Sequence, residues 1–266
     1  MAKRELTAEE KRKLYNRNSV DIYGEVGSMS ITKRGDTSVV IQTMVKVNDG
    51  NKQNSGQDID PNRNLKTVMI TKSKRIIDAF SDALDRLEAG NKVEFAGNGV
   101  IRTSQREVEG VKKLDSAIFL KTFSFDEKIT SAMKRHPNEV EVVGTITNIK
   151  PNEEQGFVNF SVMQSGAEDK DATFLNVSVN KDQKYLYDAI MTKPAKIEEH
   201  DTVKIQGYLR NHLWGGDDNR QNFRFDIMAD AGDLVHKAAK NQNKSEQAAE
   251  KPAEKAKATR KTKQTL

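Results

Sequence analysis

The sequence predicts an all-β chain with minor helix, built as two five-stranded barrels in tandem. Three observations carry this. Short β-branched, alternating segments bounded by Gly, Asn and Asp clusters run through the middle of the chain. They occur twice, in the same order. Each set has one helical stretch between its third and fourth segments.

The first set is 20–24 (VDIYG), 39–47 (VVIQTMVKV), 65–70 (LKTVMI), 93–97 (VEFAG) and 117–123 (AIFLKTF). Between its third and fourth strands, 73–89 (SKRIIDAFSDALDRLEA) places Ile76, Ile77, Phe80, Ala83, Leu84 and Leu87 on one helical face, and Gly90 follows as a stop. The second set is 140–144 (VEVVG), 157–163 (FVNFSVM), 173–179 (TFLNVSV), 203–207 (VKIQG) and 223–228 (FRFDIM). Its helical stretch, 183–190, is shorter and stops before Pro194. In each set V-x-x-x-G opens the unit and returns at the fourth strand, with Gly24 and Gly97, then Gly144 and Gly207. A glycine at these places suggests a bulge or bend where a barrel turns its corner. Alternation assigns Phe95, Phe119, Phe160, Phe223 and Phe225 to the core. Five strands with a helix between the third and fourth is the order of the OB fold, a partly open barrel that commonly binds oligonucleotides.

The chain accordingly divides into a charged arm (1–18) expected to hold little order, a first OB-fold domain (19–130) and a second (138–236). A lysine- and alanine-rich tail (237–266) follows, too poor in apolar surface to order itself. The net charge of +5 belongs to that tail, which carries nine Lys or Arg against three Glu, a net of +6, so residues 1–236 sum to about −1. Basic charge is therefore no argument about the barrels.

There is no cysteine, which removes disulfides and thiolate metal sites and fits a reducing cytoplasm. The charged N-terminus has no secretory apolar stretch, and no apolar run is long enough for a membrane span. His136, His200, His212 and His236 are scattered, and no phosphate loop or nucleophile elbow occurs. Glu153, Glu154, Asp217 and Asp218 lie in turn-like, solvated segments, and the triplet Arg34-Gly35-Asp36 reads as a hairpin turn. The expectation is a non-enzyme with no metal and no cofactor.

The segments VNFSVM (158–163), ATFLNVSV (172–179), VKIQGYLRNHLW (203–214) and FRFDIMAD (223–230) together resemble the bacterial or phage-type single-stranded DNA-binding proteins (SSBs), in the family's order. The first half matches less closely, through VDIYG, NKVEFAGNGVIR and AIFLKTF. Two such units in one chain resemble the SSB variants with tandem OB folds per subunit. That resemblance implies a homodimer presenting four barrels.

The resemblance also implies that Phe174 and Trp214 stack on bases, Trp214 in the hairpin after strand four. Alternation sends Val203, Ile205 and Leu209 inward and turns Lys204, Gln206, Tyr208 and Arg210 outward, toward a phosphate backbone that Arg220 can also reach. The first half has Leu65 where the second has Phe174, and no tryptophan. Its share of binding is expected from Lys46, Arg63, Lys66, Lys72, Arg102 and Arg106. Members of the family usually end in an acidic, Phe-terminated tip that recruits other proteins. This sequence ends TRKTKQTL, so recruitment of that kind is not expected.

The function expected is sequence-independent binding and protection of single-stranded DNA during replication, recombination or repair, in the cytoplasm, with replication or recombination proteins as further partners. The alternative is a tandem-OB protein-interaction module in a replication or conjugation complex with only weak nucleic-acid binding, which the near-neutral charge of residues 1–236 favours.

Overall fold

A computed structural model describes residues 17–47, 64–108, 111–135, 137–164, 172–215 and 221–238. Arg63, Arg220 and the segments 1–16 and 239–266 lie outside the described residues. The same holds for the side chains of Arg106, His212, Trp214 and Phe223, whose backbone positions are described.

The first barrel consists of β1 (Asn18–Arg34), β2 (Ser38–Val47), β3 (Asn64–Thr71), β4 (Glu94–Val108) and β5 (Val111–Phe125), with α1 (Lys74–Glu88) between β3 and β4. β1 pairs with β2, β2 with β3, β3 in parallel with β5, β5 with β4, and β4 with β1, which closes the ring. After a short connection containing α2 (Ser131–Arg135), the second barrel repeats the scheme. It is built from β6 (Asn138–Asn152), β7 (Phe157–Gln164), β8 (Thr173–Asn180), α3 (Lys184–Met191), β9 (Thr202–Gly215) and β10 (Gln221–His236). Here β8 and β10 are the parallel pair, and β6–β9 closes the ring. This is the OB-fold strand order twice over.

The ten strands exist where alternation places them, but β1, β4, β5, β6, β9 and β10 run further than expected. The V-x-x-x-G glycines look like strand ends in the sequence, whereas the strands pass through them and bend. A Cβ on Gly24 would overlap the Lys46 carbonyl oxygen, and one on Gly207 the Met228 carbonyl oxygen. At Gly144 it would sit 2.5 Å from the Met163 oxygen. Register shifts follow close by, between Val26 and Ser28 in β1 and between Ala229 and Ala231 in β10. The glycines let one strand cross another at close range beside a bulge.

α1 stoppers the first barrel with Phe80 and Ala83, both fully buried, while Ile76, Ile77, Leu84 and Leu87 are half-buried. The Phe80 ring lies 4.5 Å from that of Phe123 and meets Phe125 edge-on at 5.1 Å. Gly90, at φ 81°, ends the helix, its N–H donating to the Leu87 carbonyl. Gly35, at φ 63°, forms the β1–β2 turn that the Arg34-Gly35-Asp36 triplet suggested.

The barrels meet through β1 and β6, which pair antiparallel with Val20 opposite Val140. These two valines hold the same place in their repeats, so a local two-fold axis passes between them. Asn18 and Asn138 use this symmetry. Asn18 Nδ2 donates to the Ile101 carbonyl and its Oδ1 accepts the Ile101 N–H, both at 2.9 Å. Asn138 clamps Leu209 the same way, at 2.9 and 3.0 Å. The repeated motif is thus N-x-V-x-x-x-G, longer than the one legible in the sequence. Asn138→Ala is expected to destabilise the chain by about 1–3 kcal/mol in urea unfolding, because the buried Leu209 N–H and C=O lose their partner.

At both ends the described structure reaches past the expected domain bounds. Asn18 opens β1, and the Arg17 carbonyl accepts from Val143 N–H and Gln164 Nε2, each at 2.7 Å. At the other end Lys237 and Ala238 are bonded to the second barrel. The buried Val143 N–H and Gln164 amide take the Arg17 carbonyl, and the buried Asp201 carboxylate takes Lys237 Nζ and the Ala238 N–H, partners that composition could not reveal.

Candidate nucleic-acid interface

The outer face of each barrel is set by pleat parity: where one residue enters the core, its neighbours face out. In β8 the core takes Leu175, Val177 and Val179, so Phe174, Asn176 and Ser178 point outward, with Phe174 41% exposed. Strand pairing then builds rows across the face. Ser161 lies opposite Asn176, Asn176 beside Asp226, and Asp226 opposite Arg210. The next row runs Asn159, Ser178, Met228, Tyr208. Of the expected residues, Phe174, Tyr208 and Arg210 are brought together here. Trp214 belongs to the same strand edge, four residues beyond Arg210 and paired with Asn222. It is a strand position, not the loop position that its glycine and aspartate neighbours suggested.

A groove of about 380 Å³ opens on this face, with Lys150, Arg210 and Arg224 along its walls and Asp226 among them. Three cations against one carboxylate leave it positive. Arg224 grips Asp226 through two bonds, Nε to Oδ1 at 3.1 Å and NH2 to Oδ2 at 3.0 Å, which fixes the guanidinium in one orientation against that carboxylate. Asn148 enters the groove from the bulge in β6, in left-handed backbone at φ 55°. Ser178 donates to Asn159 Oδ1 at 2.6 Å. The arrangement can offer a ring face to a base, guanidiniums to phosphates, and amides and hydroxyls to base edges.

Lys204 is placed elsewhere. It pairs with Glu141 at 2.7 Å, where Arg17 at 2.9 Å and Gln206 at 3.0 Å also converge. The Lys204 ammonium, above all, holds the Glu141 carboxyl below its usual range against the opposing pull of burial. Lys204 thus secures β9 to β6, and it is not among the residues that line the groove described above.

The parallel pairs align the two barrels: Thr67 beside Ile118 corresponds to Val177 beside Ile227. By that alignment Arg102 and Arg210 hold the same position, each opposite the residue before the paired isoleucine. Arg106 stands where the second barrel has Trp214. The counterpart of Phe174 is Asn64; Leu65, fully buried, matches Leu175 instead. Matching Leu65 to Phe174 from the sequence is wrong by one residue, which in a strand exchanges core for surface.

Phe119 corrects the core assignment. Ile118 is the inward residue, so Phe119 faces out, half-buried beside Val68, with the Arg102 guanidinium 4.7 Å from its ring centre. Its counterpart is Met228, and Val100 opposite it matches Tyr208 opposite Met228. The aromatic residue has moved one strand across the face. By contrast Phe95, Phe160 and Phe225 are core, as expected.

The remaining cations of the first barrel are dispersed. Lys46 is exposed opposite Asn64, Lys66 pairs with Asp115 at 3.3 Å, and Lys72 is exposed beyond the end of β3. Arg224, Lys150 and Phe119 were not anticipated as surface residues of this face. Alternation around Phe225 and Ile227 would have found Arg224. Among the described residues, no three His, Asp or Glu side chains are grouped to hold a metal ion, and no helix is long and apolar enough to cross a membrane.

No protein-family model matches the sequence, and no curated protein does. Among solved structures, the wild-type single-stranded DNA-binding protein from Thermus aquaticus superposes with a TM-score of 0.56 at 14% identity, over 84% of this chain and 95% of that one. A deletion mutant of the same protein superposes at 0.55 with 13% identity, over 86% and 99%. At such identities the likeness is one of fold, and it spans both barrels.

Proposed function

We propose that this chain binds single-stranded DNA without sequence selection and covers strands exposed during replication, recombination or repair. The observation that carries the reading is the row Ser161, Asn176, Asp226, Arg210 with the exposed Phe174 ring at its edge. A positive groove flanked by a free aromatic face suits a flexible polyanion whose bases are unstacked. A duplex would hide those bases. The fold shared with a single-stranded DNA-binding protein supports the same reading.

In this reading 19–130 and 138–236 act as two domains of a cytoplasmic homodimer, and the second domain does most of the stacking. The first contributes Arg102 over Phe119, with Lys46, Lys66 and Arg106 for phosphates. Poly-dT is expected to quench the fluorescence of Trp214, the sole tryptophan, and affinity should fall steeply between 50 and 200 mM salt, as for any phosphate-tracking site, with a slope of log K against log salt of about −0.7 per phosphate neutralised. An unchanged emission spectrum at saturating poly-dT and low salt would sink the proposal.

A second reading, a partner-binding module with weak nucleic-acid affinity, is favoured by the apolar first face, where Val68, Phe119 and the 44% exposed Ile70 lie together. Under it, DNA binding should vanish once the basic segment beyond Ala238 is neutralised.

A further inference from the structure

The groove of the second barrel is walled by polar side chains whose acceptor atoms are already taken. Gln155, in the turn between β6 and β7, shows how. Its backbone N–H donates to Asn152 Oδ1 at 3.2 Å. A backbone N–H cannot exchange donor for acceptor, so the Asn152 amide is oriented with Nδ2 on its other side. That nitrogen donates to Gln155 Oε1 at 3.0 Å, which leaves Nε2 as the end of the Gln155 amide still open to a ligand.

Asn159 is fixed in the same sense. Ser178 Oγ donates to its Oδ1 at 2.6 Å, a separation natural between two oxygens and short for an N–H donor. Asn176 follows with a longer contact, Ser161 Oγ to Oδ1 at 3.5 Å. The groove's carboxylate, Asp226, has one oxygen bonded by Arg224 Nε and the other by Arg224 NH2. Among the described residues the amide nitrogens of Gln155, Asn159 and Asn176 have no hydrogen-bond partner. Lys150 and the two arginines add only donors, since neither ammonium nor guanidinium can accept. Two serine oxygens and the Asn148 amide stand against them as acceptors. The side chains of the groove are therefore biased toward donors.

Bases meet that bias unequally. Thymine and uracil carry a carbonyl oxygen where cytosine carries an amino group. The carbonyl accepts from an amide nitrogen, whereas the amino group sets donor against donor and gives up water for nothing. We propose that Gln155 and Asn159 select keto bases in this groove, holding thymine and uracil several-fold more tightly than cytosine, with Ser178 positioning the Asn159 amide. The inference rests on the groove being a single-strand site. Strands of any composition still bind, through phosphate contacts and stacking that do not distinguish bases, and the amide donors add a graded preference.

The test titrates the full chain at neutral pH and fixed salt with oligo-dT, oligo-dU and oligo-dC of equal length. The dT and dU strands are expected to bind about 3- to 10-fold more tightly than dC, the worth of one or two net hydrogen bonds. Gln155 and Asn159 are both exposed, so replacing the pair by alanine leaves the core intact and should bring the three affinities within about twofold of one another. Ser178→Ala removes no group that meets the base, yet it should lower the ratio because the Asn159 amide can then turn. Lys150→Gln should weaken all three strands alike. Equal affinity of the unsubstituted chain for dT and dC would overturn the selection and leave the single-strand reading standing. A failure to bind any of the three would overturn both. A dT preference that survives the double substitution, or oligo-dU siding with oligo-dC, would overturn the assignment to these amides in favour of stacking or of the thymine methyl.

Discussion

Replacing Phe174 by alanine is expected to weaken binding of oligo-dT by about 1–3 kcal/mol, roughly 5- to 150-fold, with little change in stability. The ring is 41% exposed at the first turn-out of β8, so truncating it removes a stacking surface without opening a cavity. Phe174→Tyr should keep most of the affinity, since the flat face remains. Phe160→Ala makes the opposite case: that ring is 3% exposed within the barrel core, and its loss should appear in unfolding more than in binding. Filter-binding or anisotropy titrations of the three variants beside urea melts separate the effects. Unaltered affinity in Phe174→Ala would remove the second barrel's face as the stacking site.

The second large effect is expected at Gly207. A methyl group there would overlap the Met228 carbonyl oxygen and lie 2.9 Å from the Met228 carbonyl carbon and 3.0 Å from Ala229 Cα. All three atoms are backbone of β10, so no rotamer change relieves the clash. Gly207→Ala should therefore cost about 3 kcal/mol or more, or prevent folding, and Gly24→Ala should behave alike against the Lys46 carbonyl. Gly27→Ala is the contrast, because its nearest neighbour is the flexible end of Lys46, 3.1 Å away, and a change within about 0.5 kcal/mol is expected. Urea midpoints of the three variants give the comparison. A Gly207→Ala protein as stable as wild type would mean that β9 and β10 do not cross as closely as described.

The two barrels share one frame and differ in what they place on it. Arg102 and Arg210 occupy matching positions, yet one lies over the Phe119 ring and the other faces a carboxylate opposite it. The first face carries an apolar patch of Val68, Ile70 and Phe119 among its cations; the second carries amides, hydroxyls and a positive groove. This division of labour follows from a handful of outward positions, none of which the core constrains.

Strand existence, strand order, both barrel helices and the paired glycines were legible in the sequence by itself, because burial imposes a period of two on strands and a stripe on helices. That is enough to specify an all-β chain repeating the OB order. The candidate site was legible only where parity was anchored by a clear core residue, as at Phe174 and along Val203, Ile205 and Leu209. Parity misleads at Phe119, where the apolar run 117–120 fits either register, and the repeats slip by one residue at Leu65; the parallel β3–β5 and β8–β10 pairings settle both. Tertiary structure alone decided that Lys204 serves Glu141 and not the groove, that Asn18 and Asn138 clamp the fourth strands, and that Asp201 holds the root of the basic segment. Each is a contact between residues tens of positions apart, and the alternation of a single segment carries no information about which distant polar group will lie opposite it.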